Sequence, residues 1–256
     1  MFQIYNEDCL EGMKKIPDGS VDMVLCDPPF NITDCEFDKA LPLPLLWEQV
    51  LRVTKNNAAM LFFTIGKFTI EFAASQLKLY RYEWIWRKNL ATGFLNAKKM
   101  PLRAHENILV FYRKLPTYNP QFWKDKPYTK KGWRFSYNYA EFKGGEKWLY
   151  QNKENVEQRY PHDVQNFQMP YASAETCYHP NQKPVDLLEY LIRTYTNEGE
   201  LVLDATMGSG STGVACMNTG RKFIGFETEK KFFDIANKRI SEALALKQQE
   251  LFKLEA

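Results

Sequence analysis

Leu201-Val202-Leu203-Asp204-Ala205-Thr206-Met207-Gly208-Ser209-Gly210-Ser211-Thr212-Gly213 is the stretch that decides the fold. It reads as a short strand, a glycine loop and the start of a helix. The glycines permit a tight turn and let a ligand approach the backbone closely. Ser211 and Thr212 suit a helix N-terminus, whose free N–H groups favour anionic or polar ligand atoms. The next apolar run, Lys222-Phe223-Ile224-Gly225-Phe226-Glu227, ends in an acid 19 residues after Gly208. At that spacing a carboxylate reaches ribose hydroxyls in a Rossmann-like site.

Working outward, apolar alternation predicts strands over 2–6, 21–27, 58–64, 82–88, 107–113, 199–205 and 222–227. Helical periodicity predicts helices near 43–54, 67–78, 184–196, 211–219 and 229–248. Alternating strands and helices give an α/β fold, a doubly wound and mostly parallel sheet with helices on both faces. Ligands on such sheets bind beyond the carboxyl ends of the strands. Asp8, Asp27, Asp204 and Glu227 all fall at or just past predicted strand ends, so one shared cleft is expected.

The second informative segment is Val21-Asp22-Met23-Val24-Leu25-Cys26 followed by Asp27-Pro28-Pro29-Phe30. A strand here delivers an acid, two prolines and an aromatic ring into a loop. The carboxylate of Asp27 and the carbonyl of Pro28 can each accept a hydrogen bond from one planar amine, and Phe30 can stack on the ring that carries it. The prolines fix φ and remove backbone donors, so the turn presents acceptors. A ring-conjugated amine is a poor nucleophile. Two acceptors on its hydrogens favour the more tetrahedral nitrogen of a transition state.

Composition narrows the classes. No apolar run approaches the length of a membrane span, and the N-terminus lacks a secretory pattern, so a cytoplasmic protein with no membrane partner is expected. Five cysteines without Cys-x-x-Cys spacing read as free thiols in a reducing compartment. His105, His162 and His179 are scattered, and no metal site is expected. The formal charge of +3 conceals an asymmetry: residues 78–134 hold 14 Lys or Arg against three acids. Such a local excess suits a phosphate backbone. Residues 115–177 contain 14 aromatics with little helical periodicity, interleaved with basic residues, a composition fit for stacking on bases as well as for a small aromatic core.

Together these segments resemble the beta group of S-adenosylmethionine-dependent DNA amino methyltransferases, in which Asp-Pro-Pro precedes the glycine loop. The resemblance covers most of the chain. Ile4-Tyr5-Asn6-Glu7-Asp8-Cys9-Leu10 is similar to the family segment whose acid binds the cofactor's adenine amine, which implies that role for Asp8 with Cys9 beside it. His179-Pro180-Asn181-Gln182-Lys183-Pro184 is similar to the segment near the cofactor's methionine end, and Arg103 to Phe111 to the one near the target-base pocket. Two departures stand out. Asp204 is followed by Ala205-Thr206 where the family usually has Pro-Phe, and Phe30 stands where Tyr or Trp is more common.

The resemblance implies a catalytic half over 1–114, a target-recognition insertion over 115–177 and a cofactor-binding half over 178–256. It implies that Asp27, Pro28, Pro29 and Phe30 are catalytic. Asp8, Cys9, Asp27, Lys183, Asp204, Thr206, Gly208, Ser209, Gly210, Ser211, Thr212 and Glu227 would hold S-adenosylmethionine. Lys98, Lys99, Arg103, His105, Lys130, Lys131 and Arg134 would contact DNA. The target base would be flipped out of the duplex. An initial Asp in the proline motif is associated with adenine N6 rather than cytosine N4. A cognate restriction endonuclease and a homodimer are further expectations. Cytosine-N4 methylation, glutamine methylation of a protein and a DNA-binding subunit without activity are the competing readings; the order of the two motifs and Asp27 in place of Asn weigh against the glutamine reading.

Overall fold

The structure, a computed structural model, describes residues 1–30, 41–124, 158–170, 178 and 181–255. Residues 1–119 and 162–256 form one unit and residues 120–161 another.

The large unit is built on an eight-stranded sheet: β1 (Phe2–Tyr5), β2 (Val21–Cys26), β3 (Thr54–Thr64), β4 (Tyr80–Thr92), β5 (Arg103–Phe111), β8 (Val164–Asn166), β9 (Leu201–Asp204) and β10 (Lys222–Phe226). Their order across the sheet is β1-β10-β9-β2-β3-β5-β4-β8. The first five in this order are mutually parallel, β5 alone runs the other way, and β8 is parallel to β4. The mostly parallel, doubly wound sheet expected from the sequence is therefore present. Three elements of this unit were not foreseen: β8, the five-residue helix α1 (Cys9–Met13) and a 3-10 turn at Phe94–Asn96.

Helices cover both faces. On one side lie α1, α2 (Leu43–Val53) and α3 (Lys67–Ser75). On the other lie α4 (Val185–Tyr195), α5 (Ser211–Asn218) and α6 (Lys230–Glu255). Each amphipathic helix buries a stripe at helical spacing. In α2 the stripe is Leu46, Trp47, Val50 and Val53; in α4 it is Leu187, Leu188, Leu191, Ile192 and Tyr195. Pro42 and Pro184 occupy the N-caps of α2 and α4, where no N–H is needed. Central strands are buried on both faces, which is why 21–26 and 58–64 read as nearly continuous apolar runs.

Strand order reverses between β2 and β9. From β2 the chain passes through α2 toward β3; from β9 it passes through α5 toward β10. The carboxyl ends of β2 and β9 therefore flank a topological switch point, where a crevice opens in folds of this kind. Asp27 directly follows β2, and Asp204 ends β9.

In the small unit, β6 (Trp123–Lys124) pairs antiparallel with β7 (Gln158–Arg159). The indole of Trp123 donates to the carbonyl of Tyr160 at 3.2 Å, and the Phe122 and Tyr160 rings lie 4.9 Å apart.

On the α2 face, Trp47, Phe62, Phe72 and Phe111 pack ring against ring at 4.7–6.1 Å. Phe72→Ala removes a fully buried ring from this cluster. The expected loss is about 3–5 kcal/mol, read as a fall in Tm on the order of 10 °C. A fall of less than 2 °C would show that the cluster closes around the cavity.

Candidate active site

A cleft of about 430 Å3 opens at the switch point. Asp27, Pro28, Pro29 and Phe30 form one wall. Asp204 to Ser209, with Ser211 and Thr212, form another, and Glu7 to Leu10 and Phe226 to Glu229 complete the far end. Gln182 and Lys183 also line it. The sequence-predicted acids Asp8, Asp27, Asp204 and Glu227 thus meet in one place. Gly210 lines no part of the cleft; it caps α5 behind the loop.

The glycine loop owes its shape to two different demands. Gly208 sits at φ +51, and a Cβ there would meet no protein atom, so its conformation and its opening to the cleft call for glycine. Gly210 sits at φ +80, and a Cβ there would lie 2.8 Å from Ala236 Cβ, so α6 also presses on it. Arg239 of α6 fastens the loop by donating to the Ser209 carbonyl at 2.6 Å and to the Ser209 hydroxyl at 3.0 Å.

Asp204 anchors the inner side. Its Oδ1 accepts from Thr206 N at 3.1 Å and its Oδ2 from the Thr212 hydroxyl at 2.6 Å. Burial nonetheless pushes its carboxyl up to about 7, against the pull of both donors. Thr206 ties the two loops together, since its hydroxyl donates to the Asp27 carbonyl at 2.9 Å and lies 3.2 Å from Cys26 Sγ. The Ala205-Thr206 departure from the family pattern thus supplies a specific loop-to-loop bond.

At the far end Glu227 accepts from the backbone N–H groups of Glu229, at 2.8 Å, and Gly208, while burial pushes its carboxyl up. Asp8 has a local duty that the sequence did not reveal: its Oδ1 caps α1, accepting from Leu10 N at 2.8 Å and Glu11 N at 3.3 Å. Its neighbour Glu7, not singled out from sequence, keeps Oε1 buried without a hydrogen-bond partner in the same cleft wall. Cys9 is buried beside it, and burial pushes its thiol up to about 12, so it is a packing residue rather than a nucleophile.

The Asp-Pro-Pro-Phe wall rests on a chain of alternating charges. Asp27 Oδ2 lies 2.6 Å from Lys183 Nζ. Lys183 also lies 3.3 Å from Glu106 Oε2, and Glu106 Oε1 accepts from Lys88 Nζ at 2.5 Å. The side chains of Lys88, Glu106 and Lys183 are 6–8% exposed, and Asp27 opens to the cleft. Aromatic faces complete the cation shells: Lys183 lies 5.2 Å from the Phe63 centroid and 5.8 Å from that of Phe30, and Lys88 5.0 Å from that of Trp86. Burial opposes ionisation of Glu106, but the two ammonium groups hold it below the usual carboxylate range. Burial lowers and the two acids raise Lys183, and the acids prevail. Burial pushes Asp27 up to about 6, with Lys183 pulling against it and Glu106 adding to the rise.

One detail determines what this wall can do. Asp27 Oδ2 is engaged, whereas Asp27 Oδ1 is buried without a hydrogen-bond partner among the described residues. A buried orphan acceptor calls for a donor, and a substrate amine is a donor of the right kind.

Glu106 and Lys88 were absent from the sequence-predicted site. A signal did exist. Met23 and Leu25, Trp84 and Trp86, and Ile108 and Val110 face the same side of the sheet and the same core. Asp27, Lys88 and Glu106 continue those rows by the two-residue period, putting a charge where the apolar alternation leads. Of the expected DNA contacts, Lys98, Lys99, Arg103 and His105 are exposed on or between β4 and β5, away from the cleft lining. Lys130, Lys131 and Arg134 lie outside the described residues. Among the described residues no group of three or more His, Cys, Asp or Glu is placed to hold a metal, and no helix is long and apolar enough to cross a membrane.

A glycine loop with an acid at the next strand end, facing an acid–proline turn across a switch point, defines an α/β transferase that presents an activated group to an amine. The chain belongs to the DNA methylase family, whose model matches residues 21–238. It is a DNA methyltransferase, and its methyl donor is S-adenosylmethionine. It is 26% identical to Type II methyltransferase M.HpaI of Haemophilus parainfluenzae over 91% of this chain and 72% of that one. It is 29% identical to DNA adenine methyltransferase YhdJ of Escherichia coli (strain K12) over 98% of this chain and 87% of that one. Among solved structures, M1.HpyAVI in complex with SAM superposes with a TM-score of 0.61 at 25% identity, covering 93% of this chain and all of that one. The cytosine-N4-specific PvuII DNA methyltransferase superposes with a TM-score of 0.68 at 15% identity, covering 97% and 92%.

The residues present fit a cationic nucleoside cofactor. The cleft has the volume of a small-molecule site, and burial pushes two of its acids up, Asp27 to about 6 and Asp204 to about 7. A bound cation favours their ionised forms, so binding releases protons. Cofactor affinity is expected to rise with pH between about 5.5 and 7.5, which titration calorimetry at three pH values measures. Flat affinity across that window would refute the link. Stability of the unliganded protein moves the other way. Asp204 keeps its proton in the folded state up to about 7 but loses it near 4 when unfolded, so this contribution falls as pH rises through that interval.

Glu106→Gln removes the charge between two buried ammonium groups. It is expected to cost about 3–5 kcal/mol, whereas Glu71→Gln, which breaks the exposed pair with Lys67, should cost less than about 1 kcal/mol. Equal denaturant midpoints for the two variants would contradict a structural role for the charge chain.

Proposed function

We propose that this DNA methyltransferase acts on the N6 amine of adenine, flipped out of the duplex into the cleft. The observation that carries the reading is the buried, unpartnered Oδ1 of Asp27 beside an Oδ2 fixed by Lys183. That carboxylate offers one oriented acceptor to an amine hydrogen. The Pro28 carbonyl offers the second, and Phe30 provides a face for the base. Two further points favour adenine over cytosine: the acid at the head of the Asp-Pro-Pro-Phe turn, and the similarity to the adenine methyltransferase YhdJ over nearly the whole chain.

S-adenosylmethionine supplies an electrophilic methyl group on a positively charged sulfur. The protein's residues then act mainly by placement. Glu227 would hold ribose hydroxyls at one end of the cleft, and Glu7 and Asp8 would offer acceptors to an adenine amine there. Gly208 and Ser209 leave room for close backbone approach. Asp27 and Pro28 set the attacking nitrogen in line, which removes much of the orientational cost of transfer. As the nitrogen–carbon bond forms and the sulfur–carbon bond breaks, positive charge moves onto the amine next to the Asp27 carboxylate, which stabilises it there. The surplus amine proton then passes to Asp27 Oδ1 and on to solvent.

Lys98, Lys99, Arg103 and His105 would meet the duplex, joined by Lys130, Lys131 and Arg134 of the aromatic-rich stretch. A cognate restriction endonuclease, a homodimeric assembly and a cytoplasmic location complete the reading. The endonuclease draws support from the Type II names of several relatives.

Methyl transfer from labelled S-adenosylmethionine to unmethylated bacterial DNA, followed by nucleoside mass spectrometry, tests the reading. N6-methyladenine is the expected product; N4-methylcytosine would overturn the base assignment. Asp27→Ala should lower the rate by roughly a hundredfold or more while the protein still binds DNA. Transfer by that variant at the unaltered rate would overturn the mechanism.

A further inference from the structure

The β4–β5 hairpin leaves the sheet at the edge that carries the cleft. Pairing fixes this: Cys26 lies opposite Phe62, Phe62 opposite Leu109, and Leu109 opposite Glu83. Residues beyond Cys26 on β2, beyond Ile85 on β4 and before Asn107 on β5 therefore stand past one boundary. At the hairpin's base, Lys88 and Glu106 join the charge chain that reaches Asp27. At its tip, Gly93 at φ +90 turns the backbone into a short 3-10 turn, Phe94–Asn96. Phe94 is 79% exposed there and Leu95 fully exposed.

Among the described residues nothing covers these two side chains, so they add little to the packing of the fold. Large apolar side chains adjacent at the outermost point of a turn mark a contact surface rather than a packing need. Their surroundings state the partner's charge. From Trp84 to His105 the chain carries five basic residues and no acid, and Arg87, Lys98, Lys99 and Arg103 are all exposed. An apolar point ringed by cations complements a groove with phosphate rims and an apolar stack of bases inside. β4 bulges between its pairings Arg87–His105 and Thr92–Arg103, so the paired strands advance roughly 7 Å there before residues 93–102 form the tip.

We propose that Phe94 and Leu95 enter the duplex at the target pair and fill the space that the flipped base leaves, while Lys98 and Lys99 sit on flanking phosphates. Apolar wedges of this kind hold a base step open and offset the lost stacking. The proposal rests on the reading of this chain as an enzyme that methylates a flipped base. It adds a second element to that reading: one end of the hairpin stabilises the catalytic acid, and the other opens the DNA.

The test uses duplex oligonucleotides containing the sequence that product mapping identifies. In one the target base is paired; in the other it lies opposite an abasic site. Phe94→Ala/Leu95→Ala, whose unfolding temperature should match the wild type, is expected to lose at least tenfold in kcat/KM on the paired duplex. On the abasic duplex, where no pair must be broken, it should return to within threefold of the wild type. Lys98→Gln/Lys99→Gln should reduce the slope of log affinity against log salt by about 2. Three results overturn the wedge: equal rates on the paired duplex, an equal loss on both duplexes, or a loss that accompanies conversion of a dimer to a monomer on size exclusion. The last would give the tip to a second copy of this chain. Absence of transfer by the wild type to any DNA base would instead withdraw the methylation reading, and the wedge with it.

Discussion

Asp27, Lys183, Glu106 and Lys88 form an electroneutral row of two acids and two cations, and the site depends on it. Each member comes from a different part of the chain: the end of β2, the approach to α4, β5 and β4. Buried charges persist only when paired and hydrogen-bonded, so no member can move without stranding another. The row therefore acts as a positional lock. It holds one oxygen of Asp27 still, and the other is left without a hydrogen-bond partner among the described residues.

The cofactor side follows from sheet topology. Strand order reverses between β2 and β9, so the loops leaving them diverge and a crevice remains. Thr206 bridges those loops through the Asp27 carbonyl, and Arg239 holds the glycine loop against α6. The glycine loop and the Asp-Pro-Pro-Phe turn are thereby coupled through one hydroxyl. A loop with Phe in place of Thr206 would lack that bond and would have to set the distance by packing alone.

Much of this was legible in the sequence, for identifiable reasons. Strands β2, β3, β9 and β10 carry uninterrupted apolar runs because they are buried on both faces, and α2 and α4 announce themselves by apolar stripes after prolines. The glycine loop and the Asp-Pro-Pro-Phe turn are local, so residue order alone exposes them. Strand β8 escaped because Val-Gln-Asn shows neither burial nor period, and α1 because a single helical turn has no periodicity. Asp8 was read as a ligand, but its capping of α1 is a relation to two backbone groups that pattern reading does not weigh. The charge chain escaped because its pairs span from 18 to 156 positions; only the broken alternation at Lys88 and Glu106 hinted at it.

The interleaving of early and late strands bears on how the molecule acquires its shape. β1 pairs with β10 in the sheet, and β10 joins the remainder only through β9, so the first of these strands to be synthesised waits more than 200 residues for its neighbour. β2 likewise keeps one edge open until residues 202–203 arrive. Contacts this distant along the chain make for slow, cooperative assembly and long-lived exposed edges. The segment carrying Asp27 therefore exists on the ribosome well before the segment that completes its crevice, and a chain stopped before β9 holds Asp27 without the glycine loop. The crevice forms only once residues 201–226 are made, when one insertion, β9 with β10 between β1 and β2, closes the sheet and creates the crevice in the same step.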